Sequence, residues 1–354
     1  MHYIKESKYL FVAAIVLATA ALLSLMWGQY QIDMATFIKY ADYKLFSKGS
    51  IDPQVFTLID NIILEIRLPR VLLAILIGAA LATSGAVFQA MFVNPLVSPG
   101  ILGVLAGASF GSACGMLISD SWLLVQILAF AFGFVAVAFA VLIGSMVTNS
   151  RSTVMLVLGG VISASLFTAL LSIIKYVADP YSTLPTIVYW LMGSLSMAQL
   201  NEVAFVSIPI LLSITGMIFM SKYFDLMSLG DEEAKALGVK VKLIRILAIT
   251  LATLASSLSV VMAGIIGWIG LIIPHIIRMA VGPSHRLLIP LSAIVGGTFL
   301  LLADAISRLA LSVEIPIGIL TSLIGIPIFI IVLKMRGQYG TKTNNKCKRF
   351  TFFI

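Results

Sequence analysis

The stretch RLPRVLLAILIGAALATSGAVFQAMFVNPLVSPGILG, residues 67–103, decides the fold class of this chain. After Arg70, no charged residue interrupts the run up to Val93. A helix of about 20 apolar residues is long enough to cross the roughly 30 Å of hydrocarbon in a bilayer. Proline and glycine then break the pattern before a second apolar run begins at Gly100. The stretch therefore predicts two membrane spans joined by a short turn.

The composition of the whole chain agrees with a membrane protein and excludes several other classes. Of its 354 residues, 60% are apolar and only 11% are charged, whereas soluble domains carry about 25% charged residues. The same apolar fraction excludes a disordered chain. Cys114 and Cys347 lie too far apart in the sequence to suggest a disulfide scaffold. The net charge of +8 is scattered between apolar runs and forms no basic stripe, so nucleic acid is not an expected partner.

Counting apolar runs outward from residues 67–103 predicts an all-α polytopic membrane protein with about ten transmembrane helices. The first run follows Lys5 and Lys8, and we interpret it as a retained helix because its one Ala-x-Ala is followed by further apolar residues. The eighth run is short or broken. Residues 1–340 are expected to form a single transmembrane domain, and residues 341–354 a basic cytoplasmic tail. The predicted spans are residues 10–27, 69–93, 100–118, 122–147, 154–177, 203–220, 244–266, 270–281, 287–311 and 315–335.

The distribution of charge predicts the orientation of these spans. With the N-terminus inside, ten crossings place the C-terminus inside as well. Sixteen of the 23 basic residues, but only five of the 15 acidic residues, then fall on the cytoplasmic side. This excess follows the positive-inside rule, so both termini are expected in the cytoplasm.

Glycines recur every fourth residue at Gly103, Gly107, Gly111 and Gly115 in the third span. Such a stripe lets two helices pack backbone to backbone within a membrane. The segment GASFG within it matches the nucleophile pattern of hydrolases, but that pattern requires an exposed turn between a strand and a helix. We therefore interpret the glycines as a packing surface.

Few ionisable residues lie deep in the predicted spans, and His275 and Asp304 are the main ones. Pro274 precedes His275, so the imidazole is expected to satisfy carbonyls that the proline frees. The histidines show no ligand spacing with the cysteines, and no metal site is predicted. Arg308 lies four residues after Asp304, which predicts an ion pair on one helix face.

Arg67 and Arg70 flank Pro69 in RLPR, at the expected outer end of the second span. Arginine at a membrane boundary is usually an anchor, and docking of a partner is the alternative. The pattern of residues leaves both interpretations open.

The segment 221–245 carries a dense group of charges on the predicted cytoplasmic side. Gly230 precedes three acidic residues, which suit the first turn of a helix, and Gly238 is a natural C-terminal stop. This pattern predicts a short capped helix, which is either a solvated connector or a docking element. The chain has no Gly-Lys dipeptide and hence no phosphate-binding P-loop, so any ATP must be hydrolysed by another chain.

Several stretches, taken in order, resemble the permeases of iron-chelate (siderophore and haem) and vitamin B12 type ABC importers. Residues 67–103 are similar to the family's second-to-third span signature, and GDEEAKALGV at 230–239 is similar to its coupling helix. The likeness covers residues 67–334, while the long 29–65 loop and the basic tail depart from the family. The other matching stretches are GIIGWIGLIIPHIIRMAVG, SHRLLIPLSA, LLLADAISR and EIPIGILTSLIGIPIFI.

The resemblance implies a subunit that pairs with a second permease, commonly a copy of itself, in the cytoplasmic (inner) membrane. Its further partners would be two cytoplasmic ATPase subunits, an extracytoplasmic substrate-binding protein and membrane lipid, with no cofactor and no catalytic residue. The residues implied in ATPase coupling are Gly230, Asp231, Glu232, Ala234, Leu237 and Gly238. Those implied in receptor docking are Arg67, Arg70 and Arg308, and those in a cytoplasmic gate are Thr148, Asn149, Ser150, Ser152 and Thr153.

The expected function is that of an importer permease that moves a metal chelate into the cytoplasm. Ferric siderophore is the first choice of cargo, followed by haem, cobalamin and molybdate. An ion-coupled secondary transporter is the alternative, although it should carry charged residues at interrupted helices near the midplane. An intramembrane enzyme would need a nucleophile with a base, or a metal cluster, and the sequence shows neither.

Overall fold

The computed structural model describes residues 2–46, 51–146 and 153–343, and within these ranges the chain is helical without a strand. A π-helical segment, Ile62–Arg67, leads into α4, and a 3-10 turn, Pro99–Leu102, leads into α5. The α-helices are α1 His2–Met26, α2 Met34–Phe46, α3 Pro53–Asn61, α4 Leu68–Met91, α5 Val104–Ile118, α6 Trp122–Met146, α7 Thr153–Val177, α8 Thr183–Leu191, α9 Leu200–Phe219, α10 Ser221–Met227, α11 Asp231–Ala236, α12 Val241–Ala263, α13 Ile269–Val281, α14 His285–Leu309 and α15 Ile317–Thr343.

The predicted all-α membrane fold is confirmed. Seven helical segments of the described chain are long and apolar enough to cross a membrane, and three shorter apolar helices, α5, α13 and α15, accompany them. Each of the ten predicted spans coincides with one of these segments. The expected short eighth span is α13, which has only 13 residues.

Helix α4 forms the centre of the molecule, and most of its length is buried. Within the membrane no hydrophobic force drives helices together, so close approach depends on small residues. Gly78 of α4 lies directly against the backbone of Gly296 in α14, and Gly85 lies against Gly270 in α13. A Cβ atom on Gly85 would come within 2.5 Å of the Gly270 carbonyl carbon. Gly78 and Gly85 are seven residues, or about two turns, apart, so they lie on the same face of α4, and these contacts hold α14 and α13 against that face at two heights.

Three of the four glycines in the predicted stripe pack as expected, whereas Gly103, with φ +83, precedes α5 and lies against Ser163 and Ala164 of α7. A Cβ on Gly115 would lie 2.7 Å from the Val125 Cα of α6, and Gly107 and Gly111 face backbone carbonyls of the same helix. Gly107, Gly111 and Gly115 are therefore the contact surface that holds α5 against α6.

The break between α12 and α13 follows from two residues with positive φ. Gly264 has φ +67 and Trp268 has φ +71, so the chain leaves α12 and starts α13 in a new direction. Pro274 lies inside α13, and His275 beside it is buried 6.0 Å from the ring centroid of Phe329. His275 thus belongs to the packed interior of the bundle.

Four helices of the described chain, α2, α3, α8 and α10, have no counterpart in the prediction. Helices α2 and α3 pack through a small apolar cluster that includes Tyr40, whose hydroxyl donates a 2.7 Å hydrogen bond to Asp60. Asp52 accepts a 2.8 Å bond from the Gln54 amide and caps the start of α3. The predicted 29–65 loop is therefore largely helical where the structure describes it.

Candidate docking and coupling sites

The two predicted sites lie at opposite ends of α14. His285 begins this helix beside α10, and Arg308 lies next to its last residue. At 1.5 Å per residue, the two positions are separated by about 35 Å along the helix axis. This length matches one crossing of a membrane.

At one end, Arg67, Arg70 and Arg308 come together with Asp304 and Glu314, and we call these five residues the arginine cluster. The sequence places the arginines on two separate spans, and close packing of α4 on α14 brings them together. All three arginines are buried, with exposed fractions of 4%, 6% and 6%.

Arg67 and Arg308 cap the C-terminal end of α1. Arg67 donates hydrogen bonds of 2.7 Å to the Leu25 carbonyl and 2.8 Å to the Met26 carbonyl, and a further bond to that of Tyr30. Arg308 donates to Ser24 Oγ at 2.7 Å. Cations stabilise the negative end of a helix dipole, so these two side chains fasten α1 to α4 and α14.

Asp304 is the acidic centre of the cluster and is fully buried. The predicted pair with Arg308 is confirmed, with Nε of Arg308 3.1 Å from Oδ2 of Asp304. The Nε of Arg70 also donates a 2.7 Å hydrogen bond to Oδ1. One carboxylate therefore holds arginines from two spans, which the sequence did not predict.

Glu314 approaches Arg70 from the other side. Its Oε1 accepts a 2.9 Å hydrogen bond from Nη1 of Arg70, and its Oε2 lies 2.9 Å from Nη2. The Glu314 side chain is 34% exposed. Sequence reasoning missed this residue, although it is an acidic residue between apolar neighbours at the start of EIPIGIL.

These contacts correct one part of the docking expectation. The docking role predicts a cationic patch. In the structure the three guanidinium groups are buried, and Asp304 and Glu314 balance two of their charges. The contact of these arginines with a receptor itself stays a prediction.

At the other end of α14, α11 is the short capped helix that the sequence predicts. Gly230 has φ +122 before the helix, and Gly238 has φ +82 after it. The Gly238 amide donates a 2.9 Å bond to the Lys235 carbonyl, which closes the last turn. The helix ends at Ala236, and Leu237 is its C-cap residue.

Helix α11 is attached firmly to the rest of the chain. Arg245 of α12 donates from Nη2 to both carboxylate oxygens of Asp231 at 2.9 Å. Ala234 is fully buried, whereas Glu232 and Leu237 point outward and are exposed. We expected Ala234 to contact a partner directly, but its burial makes it part of the seat of α11 within this chain.

Asp225 of α10 connects this region to the start of α14. Its Oδ1 accepts a 2.7 Å bond from the His285 amide and lies 2.8 Å from Nδ1 of the same residue. Burial alone would raise the pKa of the Asp225 carboxyl. The two hydrogen bonds from His285, with the nearby charges of His285 and Arg286, lower this pKa below its usual value.

The predicted gate falls mostly outside the described residues. Thr148, Asn149, Ser150 and Ser152 are not described, and Thr153 is the first residue of α7. Of the predicted tail, residues 341–343 continue α15, and residues 344–354 also lie outside the described chain.

Comparison with known proteins gives the family. The model of the FecCD transport family matches residues 15–335. The chain belongs to the FecCD transport family. The broken α12–α13 connection and the arginine cluster lie within the matched range.

Relatives of this FecCD chain differ in the cargo that their names state. The molybdate import system permease protein MolB of Haemophilus influenzae is 39% identical over 335 residues, covering 93% of this chain and 96% of MolB. A protein of Helicobacter pylori named as a probable iron chelatin transport system permease is 39% identical over 277 residues, covering 78% and 83% of the two chains.

A solved structure has the same fold. A chain described as part of an inward-facing metal-chelate type ABC transporter superposes with a TM-score of 0.83 at 37% identity, covering 93% of this chain and 99% of that one. Family and fold together make the present chain a multi-pass membrane permease of the metal-chelate ABC type, which is a transport subunit.

Proposed function

We propose that this chain forms the membrane path of an ATP-driven importer whose cargo is a metal chelate or a related anion. The observation that carries the proposal is α11, a rigidly seated helix with an exposed outer face between two spans of a FecCD chain. Ferric siderophore is the first cargo to test and molybdate the second, since MolB covers nearly the whole chain. Haem and cobalamin are the remaining candidates.

Helix α11 would transmit force from an ATPase. The two hydrogen bonds from Nη2 of Arg245 to the Asp231 carboxylate and the burial of Ala234 support this role, because a coupling element must move with the spans that it drives. Leu237, exposed at 59%, is the apolar side chain available to fill a cleft on a partner. Two ATPase subunits, one for each copy of a permease dimer, complete the proposed assembly.

The arginine cluster would face the extracytoplasmic side and receive an acidic substrate-binding protein. The cluster lies about 35 Å along α14 from His285, the first residue of that helix. The excess of basic residues predicts that the His285 end is cytoplasmic, which supports an extracytoplasmic position for the cluster. Within the cluster, Arg70 is the arginine whose partner, Glu314, reaches the surface. Arg67 and Arg308 would support docking by holding α1 in place, and they would meet the receptor only if the surface rearranged.

An ion-coupled secondary transporter is the second candidate from the sequence, and membership of the FecCD family counts against it. The importer proposal also includes a cytoplasmic gate at residues 148–153 and a cytoplasmic location for both termini. These two parts are tested together with the importer function.

Affinity capture tests the coupling role. The tagged permease is co-expressed with its cognate P-loop ATPase, and the ATPase retained after purification is measured. Leu237→Glu is expected to reduce retention at least about tenfold, because a charge enters a packed interface. Leu311→Glu is the matched control, since Leu311 is 63% exposed in the chain that follows α14. Equal retention by wild type and Leu237→Glu would refute docking through α11.

A further inference from the structure

The outward side of the Arg70 guanidinium is covered by an acidic residue of the same chain. Both Nη atoms of Arg70 face Glu314, one bonded and one paired at 2.9 Å, while its Nε is bonded to the buried Asp304. Asp304 is inaccessible, but Glu314 is partly exposed. A carboxylate arriving from outside could therefore replace Glu314 without disturbing the inner half of the pair.

We propose that Glu314 is an internal competitor for the site on Arg70 that an acidic receptor residue would occupy. The inference rests on the proposed docking function and adds an intramolecular contact that must open before docking. The two Nη atoms of a planar guanidinium can donate to only one bidentate carboxylate at a time. Glu314 and a receptor carboxylate therefore cannot both pair with the Nη atoms of Arg70.

Charge balance supports an exchange of partners. With Glu314 in place, Arg70 and Arg308 are matched by two acidic residues. When Glu314 leaves, the cluster gains one unit of positive charge at a mostly buried position, and an incoming carboxylate restores the balance. The internal contact therefore protects Arg70 in the free permease and lowers its apparent affinity for a receptor.

Glu314 also lies in a segment that is connected to two other parts of the chain. The Ile315 amide donates a 3.2 Å bond to the Ser307 carbonyl of α14. Two residues further on, the Ile317 amide donates a 3.0 Å bond to the Gly193 carbonyl after α8. Because its neighbours are fixed, Glu314 can leave Arg70 by rotation of its own side chain, without displacement of α15.

The test uses Glu314→Gln, which keeps the shape of the side chain and removes its charge. The full permease is placed in nanodiscs, and its affinity for the cognate substrate-binding protein is measured at low and physiological salt. Glu314→Gln is expected to tighten binding about fivefold at low salt, the value of a partly exposed ion pair. Glu65→Gln is the control, because Glu65 is exposed near Arg67 and its loss removes the same charge.

A second readout does not depend on the receptor. Phenylglyoxal modifies accessible guanidinium groups, and peptide mass spectrometry gives the rate at Arg70. The rate is expected to rise several-fold in Glu314→Gln and to stay at the wild-type value in Glu65→Gln. Unchanged reactivity of Arg70, or receptor affinity that is unchanged or weaker in a folded Glu314→Gln protein, would overturn the proposal.

Arg70→Gln separates this inference from the docking proposal. If Arg70→Gln leaves receptor affinity unchanged, docking through Arg70 is wrong. The proposed competition between Glu314 and a receptor carboxylate is then wrong as well. If Arg70→Gln weakens binding but Glu314→Gln does not strengthen it, docking stands and the competition alone is wrong.

Discussion

Replacement of Asp304 by asparagine tests the arginine cluster most severely. The carboxylate is fully buried and contacts Arg70 at 2.7 Å and Arg308 at 3.1 Å, whose side chains are each 7% exposed. Asparagine is nearly isosteric, so the change removes a charge with little change in volume. It leaves the buried guanidinium groups of Arg70 and Arg308, the two that Asp304 contacts, with one remaining carboxylate, that of Glu314.

The expected loss of stability follows from burial. Removing one partner of a buried ion pair costs about 3–5 kcal/mol, because the remaining charge is left without compensation. An exposed pair costs at most about 1 kcal/mol, so burial decides the magnitude. We expect Asp304→Asn to lose about 3–5 kcal/mol, and we expect the Asp304→Asn, Arg308→Gln double variant to be more stable than Asp304→Asn alone.

Unfolding by SDS in mixed micelles, followed by circular dichroism, measures these differences. Asp42→Asn provides the control, because Asp42 is exposed on α2, and it should lie within about 0.5 kcal/mol of wild type. A stability of Asp304→Asn equal to that of the control would refute the account of the cluster. A double variant less stable than Asp304→Asn would show that the hydrogen bonds of Arg308 to Ser24 and Trp27 outweigh the charge that Asp304→Asn leaves unbalanced.

Three further predictions concern packing, the base of α14 and sidedness. Gly85→Val should prevent α4 from closing on α13 and lower the yield of folded protein severalfold, whereas Gly267→Ala should not, since a Cβ there meets no atom within 4 Å. Asp225→Asn should cost about 1 kcal/mol at neutral pH; because folding lowers the Asp225 pKa, the difference from wild type should vanish as pH falls through that folded-state value, and a constant difference would contradict it. Cysteines at Val313 and Lys235, in a background without Cys114 and Cys347, should react with a membrane-impermeant reagent from opposite sides; labelling from one side would refute the ten-span topology.

Local patterns were sufficient to predict much of the fold. Long apolar runs predicted the spans because a single helix must satisfy its own backbone within the membrane. Gly230 and Gly238 predicted α11 because the start and the end of a helix are determined by a few adjacent residues. The short helices α2, α3, α8 and α10 were missed because none is long enough to be recognised as a span.

Long-range contacts could not be predicted in the same way. Glu314 contacts Arg70 although the two residues are 244 positions apart in the sequence. Arg67 donates to backbone carbonyls of α1, and backbone acceptors cannot be recognised from residue types. Ala234 was identified in the helix, but whether it faces inward depends on how α11 lies against its neighbours. The helices that carry the described site residues were therefore predictable. Of the contacts between those residues, the sequence predicted the Asp304–Arg308 pair within one helix and not the contacts between helices.

Uptake by proteoliposomes tests the central claim most directly. The permease is reconstituted with its cognate P-loop ATPase inside and its cognate binding protein outside, and accumulation of radioactive ferric siderophore or molybdate is followed with and without internal ATP. The account predicts uptake that requires ATP and the binding protein, is insensitive to collapse of ion gradients, and is lost in Leu237→Glu. Uptake by the permease alone, driven by an ion gradient without ATP, would contradict it.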